Sequence, residues 1–203
     1  NYAHTARYHM QESGSLVAEG SAMMPIAAGR GVGGSTLING ALCFRAPDSV
    51  LARWEEELED PYWGPEELSP VFEEIATYIG VADTPDSIAG ENNRLIVRGI
   101  EQLGFDGGLA PRNTPRCVGC GICYYGCPSS GKNSVNLNFL PEAVTAGALI
   151  QAEVHVEEII VENGVAKGIR GRASHPDTGE RGGTLEVRAK QVILSAGAIG
   201  TPR

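Results

Sequence analysis

Apolar positions follow two different rhythms along this chain, with a change near residue 150. Val71, Ile75, Tyr78 and Ile79 recur at helical spacing behind Gly64-Pro65-Glu66-Glu67-Leu68. A proline in the first turn and acids near the positive end of the helix dipole mark a helix start there. From Trp54 to Glu74 there are nine acidic and no basic side chains, which reads as a solvated helical face. Asn92–Leu103 is a second amphipathic helix, closed by Gly104, and Leu140–Ala148 is a short third one. Beyond residue 150 the pattern predicts strands at Gln151–Glu162, Val165–Ala173 and Thr184–Arg188. Asn163-Gly164 joins the first two as a hairpin, and Ser174–Gly183 is a polar loop. Val192-Ile193-Leu194, within Gln191–Ser195, reads as a fully buried strand. The first fifty residues carry a weak extended pair over Ser15–Pro25 and a dense loop from Ala27 to Arg45.

Composition narrows the classes. Apolar residues make up 42% of the 203 and charged residues 20%, enough to fill a core. Glycine is 27 of 203, nearly twice the usual ~7%, so positional roles are expected for it. The net charge is −9 and no Lys/Arg cluster is present, which argues against a nucleic-acid or anionic-membrane partner. No apolar run approaches the ~18 residues of a membrane span. There is no initiator Met and no signal-peptide pattern at Asn1–Gln11, and both ends read as cut from a longer protein.

The most informative run is Gly29-Arg30-Gly31-Val32-Gly33-Gly34-Ser35-Thr36-Leu37-Ile38-Asn39-Gly40. Its glycines permit close backbone approach, so successive amides become available to an anionic or electron-rich group. Ser35, Thr36 and Asn39 add neutral hydrogen-bonding side chains. It is not a P-loop, because no lysine follows the last glycine ahead of Ser or Thr. Gly29, Gly31 and Gly34 match a dinucleotide-turn spacing, but no buried strand precedes them. On residue chemistry alone the run is either a cofactor loop or a cluster of structural turns.

The run GRGVGGSTLING resembles the first signature of the glucose–methanol–choline (GMC) oxidoreductases, which are FAD-dependent. The ending AKQVILSAGAIGTPR, residues 189–203, resembles the family's later segment, where a buried strand leads into AGA-x-x-TP. Asp60-Pro61-Tyr62-Trp63 through Leu68-Ser69-Pro70, and Ala152–Ala166, resemble the stretch after the first signature and the adenine-side strand. Cys43 departs from the pattern, which has an aromatic residue or Ala there; Phe44 follows one place later. The resemblance implies an α/β fold, a partial FAD/NAD(P)-binding domain over 1–203. It has a helical and Cys-rich insertion at 53–148 and a β-rich return to the FAD-binding core at 149–203. It implies that Ser35, Asn39, Gly40, Ala41 and Leu42 contact FAD. The Val156 backbone would pair with adenine, and Gly197 and Ala198 would lie where the last strand approaches the cofactor. As a strand residue alone, Val156 reads as core. Residues 29–45 contain no His, so the FAD is expected to be non-covalent. The family's upstream dinucleotide turn and downstream catalytic His have no counterpart here. No catalytic residue is expected in this chain, and it is expected to be inactive alone. His4, His9, His155 and His175 read as ordinary surface or strand histidines.

Four of the five cysteines form a second motif, Cys117-x₂-Cys120-x₂-Cys123-x₃-Cys127-Pro128, with the spacing of a bacterial ferredoxin run. The fourth Cys of such a run usually serves a second cluster, and no second run exists. A local iron–sulfur cluster would need Cys127 bent back, Cys43 recruited, or three ligands only. Two disulfides, a zinc site and free thiols are the alternatives. A branch of GMC-like alcohol and sugar dehydrogenases is similar in having a Cys-rich insertion followed by Gly and Lys, as in Gly131-Lys132, and some of its members carry an iron–sulfur cluster. The crowding does not resemble a secreted disulfide scaffold, which favours a cytoplasmic setting. The function implied is the FAD-binding part of an oxidoreductase acting on the CH–OH group of an alcohol, sterol or sugar. The rivals are an iron–sulfur electron-transfer module and a non-catalytic binding domain.

Overall fold

The computed structural model describes residues 2–202. It contains a mixture of helices and small antiparallel sheets, and it divides into two units, residues 1–148 and 149–203. Arg203, the last residue of the motif at 189–203, lies outside the described residues, as does Asn1.

The first unit begins with α1 (Tyr2–His9), a helix that the apolar pattern does not predict. Ala6 and Met10 pack with Ile38 into a small buried cluster, flanked by Leu37. That cluster seats the glycine run against the N-terminal segment. The backbone reinforces it: the Arg30 amide donates to the His9 carbonyl at 2.8 Å and the Gln11 amide to the Ala28 carbonyl at 2.9 Å. The weak extended pair over Ser15–Pro25 is present as β1 (Val17–Ala18) against β2 (Met24–Pro25).

The acidic run is split between two helices. Helix α2 (Asp48–Leu58) ends at Glu59, whose φ of 52° is left-handed. Asp60 then accepts from the Tyr62 amide at 3.0 Å, capping a single 3-10 turn at Pro61–Trp63. Helix α3 (Pro65–Ile79) starts at the predicted proline with Glu66 and Glu67 in its first turn. It stops at Gly80, where φ is 70° and the Val81 amide donates back to the Ala76 carbonyl at 2.8 Å. Helix α4 (Glu91–Leu103) also ends at the predicted glycine.

Two short strands, β3 (Ala82–Asp83) and β4 (Pro111–Arg112), pair antiparallel. The end of the glycine run joins β4: Leu42 bridges Arg112, and the Cys43 amide donates to the Pro111 carbonyl at 3.0 Å. The Cys-rich segment follows, and then α5 (Phe139–Thr145), whose first amide donates to Asn138 Oδ1. Asn133 fixes the return from the Cys-rich segment. Its Nδ2 donates to the Ile79 carbonyl at 2.9 Å, while its own carbonyl accepts from Asn113 and Asn138, each at 3.0 Å.

The second unit is one antiparallel sheet in the order β5 (Val154–Glu162), β6 (Val165–Ser174), β7 (Arg181–Arg188). The predicted Asn163-Gly164 hairpin is present, with positive φ at both residues (52° and 75°). Arg170 pairs with Glu158 at 2.7 Å and with Glu186 at 3.2 Å, lacing all three strands on one face. The predicted strand at 191–195 does not form. Ile193 is 84% exposed and Leu194 47%, and no described strand pairs with them. A parallel-type strand needs neighbours on both edges and covering layers on both faces, and none of the described residues supplies them. After this segment comes one helical turn, α6 (Gly197–Gly200).

Candidate functional site

The glycine run is locally over-determined. Gly29 is buried, and a Cβ added to it would stand 2.4 Å from the Gly34 carbonyl oxygen, so the chain crosses itself there with no room for a side chain. The Gly29 amide donates to Ser35 Oγ at 2.8 Å, closing the crossing. Thr36 Oγ1 donates to the Gly33 carbonyl at 2.5 Å and accepts from the Val135 amide at 3.3 Å. Asn39 Oδ1 accepts from the Ala41 amide at 3.1 Å, which supports the left-handed Ala41 at φ 59°.

Two basic side chains complete the arrangement; neither is among the expected site residues, although Lys132 stands in the Gly131-Lys132 pair after the cysteines. Lys132 is only 2% exposed. Its Nζ donates to the Leu37 and Asn39 carbonyls, each at 2.9 Å, and to the Cys123 carbonyl at 3.3 Å. Three carbonyls match the three donors of an ammonium, which is the condition for burying it. Arg112 Nη2 donates to the Gly40 carbonyl at 3.0 Å and to Cys123 Sγ at 3.0 Å, with Nε at 3.3 Å from the same carbonyl. The end of the glycine run is thereby bound through the carbonyls of Leu37, Asn39 and Gly40 to two cations distant in the sequence. One signal was present in the sequence: the chain uses arginine thirteen times and lysine three times, and Lys132 is the sole lysine before Lys167. A compact ammonium reaches three converging carbonyls where a planar guanidinium does not.

Lys132 and Cys127 are both displaced from their ordinary values. Burial pushes Lys132 below its ordinary value; the Cys123 and Cys127 sulfurs oppose this, Arg112 adds to it, and the net shift is downward. Burial pushes the Cys127 thiol up. The Lys132 amide at 3.2 Å, the Ser129 hydroxyl and the Gly131 and Ser129 amides outweigh burial, and the net shift is downward.

A cavity of about 600 Å³ opens beside this cluster, lined by Gly40, Leu42, Ile88, Arg112, Lys132 and all four clustered cysteines. The ferredoxin-like spacing does not close into a metal centre. All five cysteines are free thiols, and among the described residues no three His, Cys, Asp or Glu side chains converge to hold a metal ion. The physical reason lies in their separate partners. Cys123 faces Arg112, Cys127 sits on the Lys132 amide, Cys117 accepts from the Gly119 amide at 3.4 Å, and Cys120 is exposed. Cys43 Sγ turns instead to the Ala41 carbonyl at 3.5 Å.

Of the residues expected to contact a cofactor, Ser35, Asn39, Gly40, Ala41 and Leu42 are gathered in the first unit. Ser35, Asn39 and Leu42 are exposed, Gly40 is half-buried, and Ala41 is buried. The other three belong to the second unit. Val156 pairs with Gly171 next to an irregularity in β5 and is 48% exposed, so it is not core. Gly197 has φ 84° at the start of α6, and Ala198 is exposed beside it.

A family model described as "GMC oxidoreductase" matches residues 6–203. The chain is 39% identical over 190 residues to an uncharacterized GMC-type oxidoreductase of Mycobacterium tuberculosis, covering 94% of this chain and 29% of that protein. It is 30% identical over 199 residues to a long-chain-alcohol oxidase of Arabidopsis thaliana, covering 95% of this chain and 26% of the oxidase. It is 28% identical over 163 residues to a 2-methyl-1,2-propanediol dehydrogenase of Mycolicibacterium austroafricanum, covering 68% of this chain and 28% of the dehydrogenase. The chain thus spans between a quarter and a third of the length of these relatives. No solved structure matches it.

Proposed function

The chain belongs to the GMC oxidoreductase family, and from that premise we propose that it forms part of the FAD-binding region of an enzyme oxidising the CH–OH group of an alcohol. The observation that carries this reading is the pinned glycine run inside the matched region. Its residues fit the group: glycines leave the backbone open to close approach, Ser35 and Asn39 are exposed, and the available donors are neutral amides and hydroxyls. When bound, FAD supplies a two-electron acceptor for hydride.

In this reading Ser35, Asn39, Gly40, Ala41 and Leu42 line the cofactor, with Ala41 shaping the loop, because it is buried and its amide is taken by Asn39 Oδ1. The Val156 backbone meets the adenine, and Gly197 and Ala198 approach the cofactor where positive φ turns the chain at Gly197. The FAD is held non-covalently. Residues 53–148 serve as a helical and Cys-rich insertion, and 149–203 return to the FAD-binding core. Relatives named as long-chain-alcohol oxidases support an alcohol over a sterol or a sugar as the substrate class.

The test is direct. The whole protein, purified and exposed to FAD, should show flavin absorbance, release FAD on denaturation, and reduce a dye when given a long-chain primary alcohol. Protein that stays colourless after reconstitution overturns the cofactor reading. Flavin-loaded protein that oxidises sugars or sterols but no alcohol overturns the substrate class alone.

A further inference from the structure

We infer that Lys132 is a positioning residue for the cofactor loop: its buried ammonium fixes the Asn39–Gly40 peptide plane so that the Gly40 amide is presented to the flavin. The inference rests on the FAD reading above and goes beyond it, since Lys132 Nζ meets that loop at backbone carbonyls and is not one of the residues read as lining the cofactor.

The argument begins with peptide geometry. In a trans peptide the carbonyl of one residue and the amide of the next point in opposite directions. Lys132 Nζ takes the Leu37 and Asn39 carbonyls at 2.9 Å each, and Arg112 takes the Gly40 carbonyl at 3.0 Å. The amides of Ile38, Gly40 and Ala41 therefore face away from the two cations. Ile38 and Ala41 spend theirs inside the loop, on the Ser35 carbonyl at 3.2 Å and on Asn39 Oδ1 at 3.1 Å. The Gly40 amide is left as the donor aimed outward.

Glycine makes such an anchor necessary. Gly40 lacks the Cβ that restricts other residues, so the Asn39–Gly40 plane is free to rotate unless its carbonyl is held. Lys132 holds that carbonyl from a site with 2% exposure, where water cannot replace it as a donor. The third carbonyl, that of Cys123, belongs to the Cys-rich segment, and Cys123 Sγ also accepts from Arg112. Cys123 thus ties both cations that set the loop to the Cys-rich segment.

The experiment uses the whole protein, stripped of FAD and titrated with it, comparing wild type with Lys132→Met and Arg112→Lys. Lys132→Met keeps the stem and removes all three donors; its FAD dissociation constant should rise by about tenfold or more. The absorbance maxima and midpoint potential of the flavin it still binds should shift, because the amide dipole beside the ring has turned. Arg112→Lys keeps one donor for Gly40 and should give a smaller change of the same kind, which also serves if Lys132→Met does not fold. A lysine that only braced the fold would lower thermal stability and flavin content together and leave spectrum and potential unchanged, and that outcome overturns the inference. Unchanged affinity in both variants overturns it as well. Wild-type protein that binds no FAD sinks the underlying reading instead, and so is told apart from failure of the Lys132 role.

Discussion

A hydrogen-bonding residue in this loop acts on the backbone before it acts on any ligand. Asn39 spends its Oδ1 on the Ala41 amide, so Asn39→Leu removes a brace as well as a polar surface group. Loss of that bond costs about 1 kcal/mol, and FAD affinity in the whole protein should fall roughly fivefold by titration. Gly29→Ala tests a purely steric demand. Its Cβ would sit 2.4 Å from a backbone oxygen, and overpacking against backbone costs about 1–3 kcal/mol, read as a lower thermal midpoint. Gly40→Val is different, because its nearest obstacle is the Tyr124 hydroxyl at 2.9 Å, the far end of a side chain that can move. Gly40→Val should therefore fold and lose flavin, and Tyr124→Ala in the same background should recover stability without recovering flavin. The glycines were legible in the sequence because their spacing is local. Lys132 was not, because what makes it a site is the convergence of carbonyls from Leu37 and Asn39 about ninety positions away, which no window of sequence contains.

At the scale of elements, local chemistry and packing part company. Proline at the start of α3, glycine at the ends of α3 and α4, and Asn-Gly between β5 and β6 all act through their own backbone preferences, and each stands where the sequence puts it. Helix α1 escaped because its sequence, YAHTARYH, has little apolar periodicity, and its place comes from packing Ala6 against Ile38. The strand expected at 191–195 failed for the opposite reason: its apolar run asks for neighbours that the described residues do not provide. The β5–β7 sheet gives a pH test. Hydrogen bonds from Arg188 and Arg170 hold Glu186 below its ordinary value of 4.5, with slight burial opposing them. A carboxylate depressed in the folded state contributes stability that is present above its unfolded value and lost as pH falls through the folded one. Glu186→Gln should therefore lower the thermal midpoint at neutral pH, with the difference from wild type shrinking as pH falls below the ordinary value of 4.5 and through the depressed folded one. The effect is small, since the pairs are solvent-exposed.

For the molecule as a whole, the open question is where the proton of an alcohol would go. Oxidation of a CH–OH group releases a hydride and a proton, and the proton needs a base within hydrogen-bond reach. The cavity beside the glycine run is lined by glycines, aliphatic side chains, thiols, hydroxyls and two cations, with no His, Asp or Glu among its residues. The four histidines lie elsewhere: His4 and His9 on α1, with rings 5.9 Å apart, His155 on an exposed stretch of β5, and His175 in the loop after β6. His175 Nδ1 already accepts from the Asp177 and Thr178 amides, each at 3.3 Å, which is the chemistry of a turn. None of the four histidines therefore stands in that cavity as a base for the proposed reaction. In the whole protein His9→Gln, His155→Gln and His175→Gln should each leave kcat for a long-chain alcohol within about twofold, because none supplies a proton acceptor worth the ~10²–10⁴-fold that general bases contribute. A drop of that size in any one of the three, with flavin content intact, would place the base in this chain after all.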